Sequence, residues 1–132
     1  MNARVWNLFH DGGITAIVGA VPGDLDFTVE LYIRDEFDDP GKAFRIHLTH
    51  CTMLSFEPYR GTEIITDIGL ISAANLEILG AEVKDGTLIG ATPSGILRMK
   101  YLIESVFLDS GRAITLSDLG DAADRGMDKG KF

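Results

Sequence analysis

The run Phe27-Thr28-Val29-Glu30-Leu31-Tyr32-Ile33-Arg34 alternates apolar and polar side chains without a break. A period of two belongs to a strand with one face on a core and the other in water. Phe44-Arg45-Ile46-His47-Leu48-Thr49 repeats the pattern and then slips, because Cys51 and Met53 carry the other parity before Leu54 and Phe56. A slip of one residue turns every later side chain to the opposite face, so a bulge or bend is expected at 49–51. Asp38-Asp39-Pro40-Gly41 between the two runs punctuates a hairpin connection.

Working outward, residues 14–21 read as a strand ended by Pro22-Gly23-Asp24. Residues 76–84 and 87–92 flank Asp85-Gly86, the pair that supplies two positive-φ positions for a type I′ turn. Pro93-Ser94-Gly95 makes the next turn. Leu97, Met99, Tyr101, Ile103 and Phe107 then share one parity, with Arg98, Lys100 and Glu104 on the other, as in one long strand closed by Asp109-Ser110-Gly111. Turns at such short intervals predict a mainly β chain: an antiparallel two-layer sandwich or roll of about eight strands with one or two short helices. Ile64, Ile65, Ile68 and Ile71 stand at helical spacing, so a short helix is expected within 66–75. Thr115-Leu116-Ser117-Asp118 resembles a capping box opening a helix over 116–123. Residues 125–132, rich in glycine and charge, are expected to form a flexible tail on a single domain spanning 1–132.

The 132 residues carry 12 basic and 20 acidic side chains, a net charge of −8. The surface law puts the folded area at roughly 6,800 Å² against about 20,700 Å² unfolded, enough burial for a core without disulfides or metal. The charge argues against a nucleic-acid backbone as partner, since counterion displacement needs lysine and arginine. Cys51 alone cannot form an internal disulfide, which suggests a reducing, cytoplasmic setting. The longest mostly apolar stretch, 14–21, falls far short of the ~18 residues of a membrane helix. No membrane, cofactor or metal is expected.

Seven carboxylates crowd residues 24–39: Asp24, Asp26, Glu30, Asp35, Glu36, Asp38 and Asp39, against Arg34 alone. The plain reading is a solvated hairpin that discourages edge-to-edge pairing. The functional reading is a field that steers a basic protein partner, with Tyr59 and Arg60 as rim anchors. Calcium is disfavoured: an EF-hand beginning at Asp35 would need an oxygen ligand at Phe37 and a glutamate at Ile46.

His47, His50 and Cys51 tempt one toward zinc, but along an extended strand His47 and Cys51 sit about 13 Å apart and His50 points the other way. His10-Asp11 before Gly12-Gly13 reads as an acid–base pair or, more simply, as a turn. In Glu57-Pro58-Tyr59-Arg60-Gly61 the ordinary expectation is Arg60 paired with Glu57 and Tyr59 packed on the sheet. Phosphate-binding glycine loops, the nucleophile elbow and the zinc-protease helix signature are missing from the sequence. Two hypotheses follow. One is a non-enzymatic interaction module with an acidic surface for a basic partner. The other is a small enzyme or ligand binder with a pocket between the sheets, using His10, His47, His50, Glu57 and Arg60. Homodimerisation through a free strand edge is a further structural expectation.

His10-Asp11-Gly12 before the first strand, Leu76-Glu77-Ile78-Leu79 before a hairpin, Gly95-Ile96-Leu97 leading to Tyr101, and a closing Leu116-Ser117-Asp118-Leu119 stand in an order that resembles small bacterial β domains. Some of these are similar to immunity proteins of toxin systems. The resemblance implies a protein partner and places no catalytic residue on any position.

Overall fold

The computed structural model describes residues 1–130, with side chains through Gly126. Nine strands form two antiparallel sheets. The first contains β1 (Gly13–Gly19), β2 (Gly23–Glu30), β3 (Phe44–Cys51), β8 (Glu104–Leu108) and β9 (Ala113–Ile114), in the order β1-β2-β3-β8-β9. The second contains β4 (Met53–Pro58), β5 (Gly80–Lys84), β6 (Thr87–Thr92) and β7 (Gly95–Lys100), in the order β4-β7-β6-β5. Three helices, α1 (Ala3–Leu8), α2 (Ile68–Ala73) and α3 (Leu116–Gly130), and a 3₁₀ helix (Tyr32–Glu36) complete the chain. The two-layer β sandwich is as expected, with one helix more and one much longer than the sequence suggested. The last helix includes Arg125 and Gly126 and runs to Gly130, where a loose tail was expected; positions 131 and 132 of that tail lie outside the described residues.

The slip at 49–51 marks where the chain leaves one sheet for the other. His50 takes a φ of +48° there, and β3 passes to β4. A second crossing, not foreseen, breaks the long strand expected after Gly95. The chain leaves the second sheet after Lys100 and rejoins the first at Glu104. Buried parity changes across that break, from Leu97, Met99 and Tyr101 to Val106 and Leu108, while Ile103 is exposed and Phe107 turns to the outer face. The two crossings bind each other: Thr49 N–H donates to Ile103 O at 3.0 Å, Leu102 N–H to Thr49 O at 2.8 Å, and Thr52 N–H to Lys100 O at 2.9 Å.

Between the sheets lie Leu25, Phe27, Val29, Phe44, Ile46 and Leu48 from the first, facing Leu54, Phe56, Leu88, Leu97 and Met99 from the second. The N-terminal segment closes one end. Trp6 packs edge-on to Phe27 and Phe9 edge-on to Phe44, with centroids 5.4 and 5.0 Å apart. Burial of Trp6 is permitted because its indole N–H reaches the Tyr101 hydroxyl at 2.9 Å. Burial also pushes the Tyr101 phenol well above its ordinary pKa. The Asp85-Gly86 turn has both central residues at positive φ, 52° and 71°, as its type requires. The capping box is reciprocal, with Asp118 N–H on Thr115 Oγ1 and Thr115 N–H on Asp118 Oδ2, both at 3.0 Å. The Thr115 N–H accordingly lowers the Asp118 pKa.

Strand edges are covered by neighbouring chain. On β1, Ile14 N–H donates to Leu76 O at 2.7 Å and Ile17 N–H to Ser72 Oγ at 2.9 Å. On β4, Phe56 exchanges both backbone bonds with Ile65 at 2.8 Å. On β5, the Asn7 amide takes the Ala81 N–H at 2.8 Å and gives to the Ala81 carbonyl at 3.0 Å. Such caps blunt the edges through which sheets aggregate. Past Asn7, β5 carries the exposed Val83.

Candidate functional site

The alternation read over 27–34 ends early. After Leu31 the chain winds into the 3₁₀ helix, which turns Ile33 inward and Tyr32 outward. Arg34, expected on the wet face, is only 2% exposed. Its guanidinium is enclosed by Asp109 Oδ1 at 2.8 Å, the carbonyls of Ala43 at 3.0 Å, Asp39 at 3.1 Å and Pro40 at 3.1 Å, and Asp39 Oδ1 at 3.4 Å. The other oxygen of Asp109 accepts the N–H groups of Lys42 and Ala43 at 2.9 and 3.0 Å. Desolvation pushes the Asp109 carboxyl upward, but those N–H groups and Arg34 outweigh it, and its pKa falls to about 2. Gly41, at φ +136°, lets the loop close, since a Cβ there would lie 2.1 Å from Asp109 Oδ1. This pairing is what shapes the acidic loop.

A second charged group occupies the outer face of the first sheet. Register places Asp26, His47 and Ser105 side by side on β2, β3 and β8. His47 Nδ1 lies 2.9 Å from Asp26 Oδ1, and its Nε2 lies 3.3 Å from Asp24 Oδ2. Arg45 reaches Asp26 at 3.2 Å while its guanidinium sits 4.6 Å over the Phe107 ring. The His50 N–H holds Asp24 at 3.0 Å and is the main cause of its lowered pKa. A nucleophile system needs one imidazole nitrogen on the hydroxyl and the other on a carboxylate. Here both nitrogens face carboxylates, so the row holds strands together and does not activate Ser105.

The third charged region is the end of the sandwich around Tyr32, whose side chain is 59% exposed. A hollow of about 500 Å³ on one side is lined by Tyr32, Glu30, Asp35, Asp11 and Lys42. One of about 400 Å³ on the other side is lined by Tyr32, Leu8, Leu31, Asp11, His10 and Asp124. Apart from the enclosed Arg34, the ion pairs among the described residues there are loose and exposed: His10 with Asp11 at 3.1 Å and Lys42 with Glu30 at 3.8 Å. Asp35, Asp38 and Asp124 make no ion pair among the described residues. Tyr32, Asp11 and Asp124 were not foreseen in this role. Of the three, only Tyr32 stands within the acidic window of 24–39; Asp11 carried a signal only beside His10, and Asp124 carried none.

The structure therefore divides the acidic window. Asp24 and Asp26 are held by His47 and Arg45, Asp39 by Arg34, and Glu36 lies 3.8 Å from Arg125. Glu30 and Asp35 remain at the end face, while Asp38 lines a separate hollow with Arg112 and Arg125. Tyr59 and Arg60 follow β4 on the other sheet. Tyr59 is exposed and not packed, and Glu57 pairs with Arg98 at 3.1 Å, not with Arg60. His10, His47, His50 and Glu57 are not brought together. His10 follows α1, His47 lies on the outer face of the first sheet, His50 at the crossing, and Glu57 on the second sheet. The void between the sheets is about 10 Å³ and lined by Trp6, Ile14, Leu88 and Met99 among others. Small-molecule sites occupy roughly 300–1,000 Å³. Cys51 is buried beside Met53 O, and burial raises its thiol pKa. Among the described residues no three His, Cys, Asp or Glu side chains are grouped to hold a metal, and no helix is long and apolar enough to cross a membrane. A scan against family models, a search of curated proteins and a search of solved structures each found no match.

Proposed function

We propose that this chain is a non-enzymatic protein-interaction module, acting in the cytoplasm, that offers the acidic end face around Tyr32 to a basic protein partner. The observation that carries the reading is an exposed aromatic ring set among Asp11, Glu30, Asp35 and Asp124, with Lys42 and His10 the cationic or titratable exceptions beside it. Aromatic residues anchor interfaces, and a concentrated negative field raises association rates and rejects acidic competitors. The resemblance to toxin-immunity proteins fits the same reading, with a basic toxin domain as the partner.

The test is capture from native lysate over a salt series, with mass determination of what is retained. The expected result is a protein of basic composition whose retention falls steeply with salt. Retention is lost when Asp11→Asn, Glu30→Gln and Asp35→Asn are combined. A retained set indifferent to salt and to that triple variant would overturn the reading.

A further inference from the structure

We infer, resting on the reading just given, that the hollow between α1, the 3₁₀ helix and α3 receives one cationic side chain of the partner, stacked on the face of Tyr32. Two kinds of surface meet there. Leu8, Leu31 and Ala123 supply apolar lining, and Asp11 and Asp124 supply carboxylates from two elements, one beyond α1 and one on α3. An arginine or lysine needs that combination: cover for its methylene stem, a carboxylate for its head and an aromatic face beside it. The volume of about 400 Å³ suits a single long side chain with its flanking backbone.

The walls are fixed before any partner arrives. Gly126 brings α3 against the 3₁₀ helix so closely that a Cβ would lie 2.9 Å from Tyr32 Cε2 and 3.0 Å from Ile33 Cγ2. Asn7 ties the end of α1 to Ala81 through two hydrogen bonds, and Trp6 ties it to Tyr101. A rigid aromatic wall beside Asp124, which makes no ion pair among the described residues, and Asp11, paired only with the exposed His10, costs little ordering on binding. The other hollow beside Tyr32 carries Lys42, 86% exposed, which repels a cation. The Asp11–Asp124 side is therefore the one chosen.

The probe is tetra-arginine amide, titrated at low salt into the isotope-labelled protein and followed by backbone amide shifts, with a tetra-glutamine peptide as uncharged reference. Saturable shifts are expected at Asp11, at Leu31 to Ile33, and at 123–124. Tyr32→Ala should weaken the affinity about fivefold and Tyr32→Phe should preserve it, since the ring carries the contact. Asp11→Asn with Asp124→Asn should weaken it further, with the melting temperature unchanged because both side chains are exposed. Shifts confined to Glu30 and Asp35, indifferent to Tyr32→Ala, would overturn the hollow while leaving the basic-partner reading standing. Absence of any salt-sensitive binding of the peptide would overturn both.

Discussion

Two charged clusters in this molecule use the same chemistry under opposite conditions. Around Arg34 a guanidinium only 2% exposed is enclosed by three carbonyls and by Asp39 and Asp109, whose side chains are 16% and 30% exposed. Around His47 an imidazole, two carboxylates and Arg45 lie on an open sheet face, with side chains 28–52% exposed. Each cluster is well partnered, yet only the first is indispensable. A buried charge that loses its partner keeps the full desolvation penalty, whereas an exposed one turns to water. The contrast also separates structure from recognition. Carboxylates committed to Arg34, Arg45 and His47 are spent on holding strands and loops, and those left at the end face are available to a partner.

The largest effect tests the enclosed cluster. Arg34→Ala takes the donor away from Asp109, Asp39 and the carbonyls of Asp39, Pro40 and Ala43, so urea unfolding should show a loss of about 2–3 kcal/mol. A loss below about 1 kcal/mol would erase the distinction between the clusters. Gly41→Ala should follow, at about 1–3 kcal/mol, from a backbone conformation forbidden to alanine and a Cβ driven into Asp109. The same variant should leave the pairing of His47 untouched, as its ring proton shifts would report.

Acid distinguishes the clusters next. The Asp109 pKa lies at about 2, below the ordinary 3.8, so the folded state binds its proton less readily than the unfolded chain. Its contribution is complete above the ordinary carboxylate range and is lost as pH falls from about 4 toward 2. Unfolding midpoints measured across that window should fall for the native chain and fall less steeply for Asp109→Asn. The smallest effect belongs to the open face. His47→Gln or Asp26→Asn should cost under about 1 kcal/mol, and less still at high salt. A cost matching Arg34→Ala would show the open face to be as rigidly built as the loop.

Local chemistry was readable in the residues. Asp85-Gly86, the Thr115–Asp118 box and the parity slip at Cys51 each act within a few positions, so the turn, the cap and a break at 49–51 were foreseen, though as a bulge or bend and not as a change of sheet. What was hidden depended on partners far along the chain. Arg34 continued the polar parity of its run without fault, and only Asp109, 75 positions away, reveals why it turns inward. Asp26 and His47 meet through strand register 21 positions apart, and the break after Lys100 leaves the apolar series visually intact. Tyr32 looked like one more wet-face residue of a strand, so the ring at the centre of the proposed surface could not be singled out. The short helix around Trp6 was missed because six residues give too little periodicity to register.

The paired crossings at His50 and Leu102 have a kinetic corollary. Residues 53–100 contain every strand of the second sheet, so that layer is assembled from one uninterrupted stretch, β6 and β7 joined by a tight turn. The first layer is split around it, and Phe44 must find Leu108 across the whole intervening length. Closing so large a loop is entropically slow. Pulse-labelled amides should therefore acquire protection earlier in β5 to β7 than at the β3–β8 seam, making that seam the last ladder to zip.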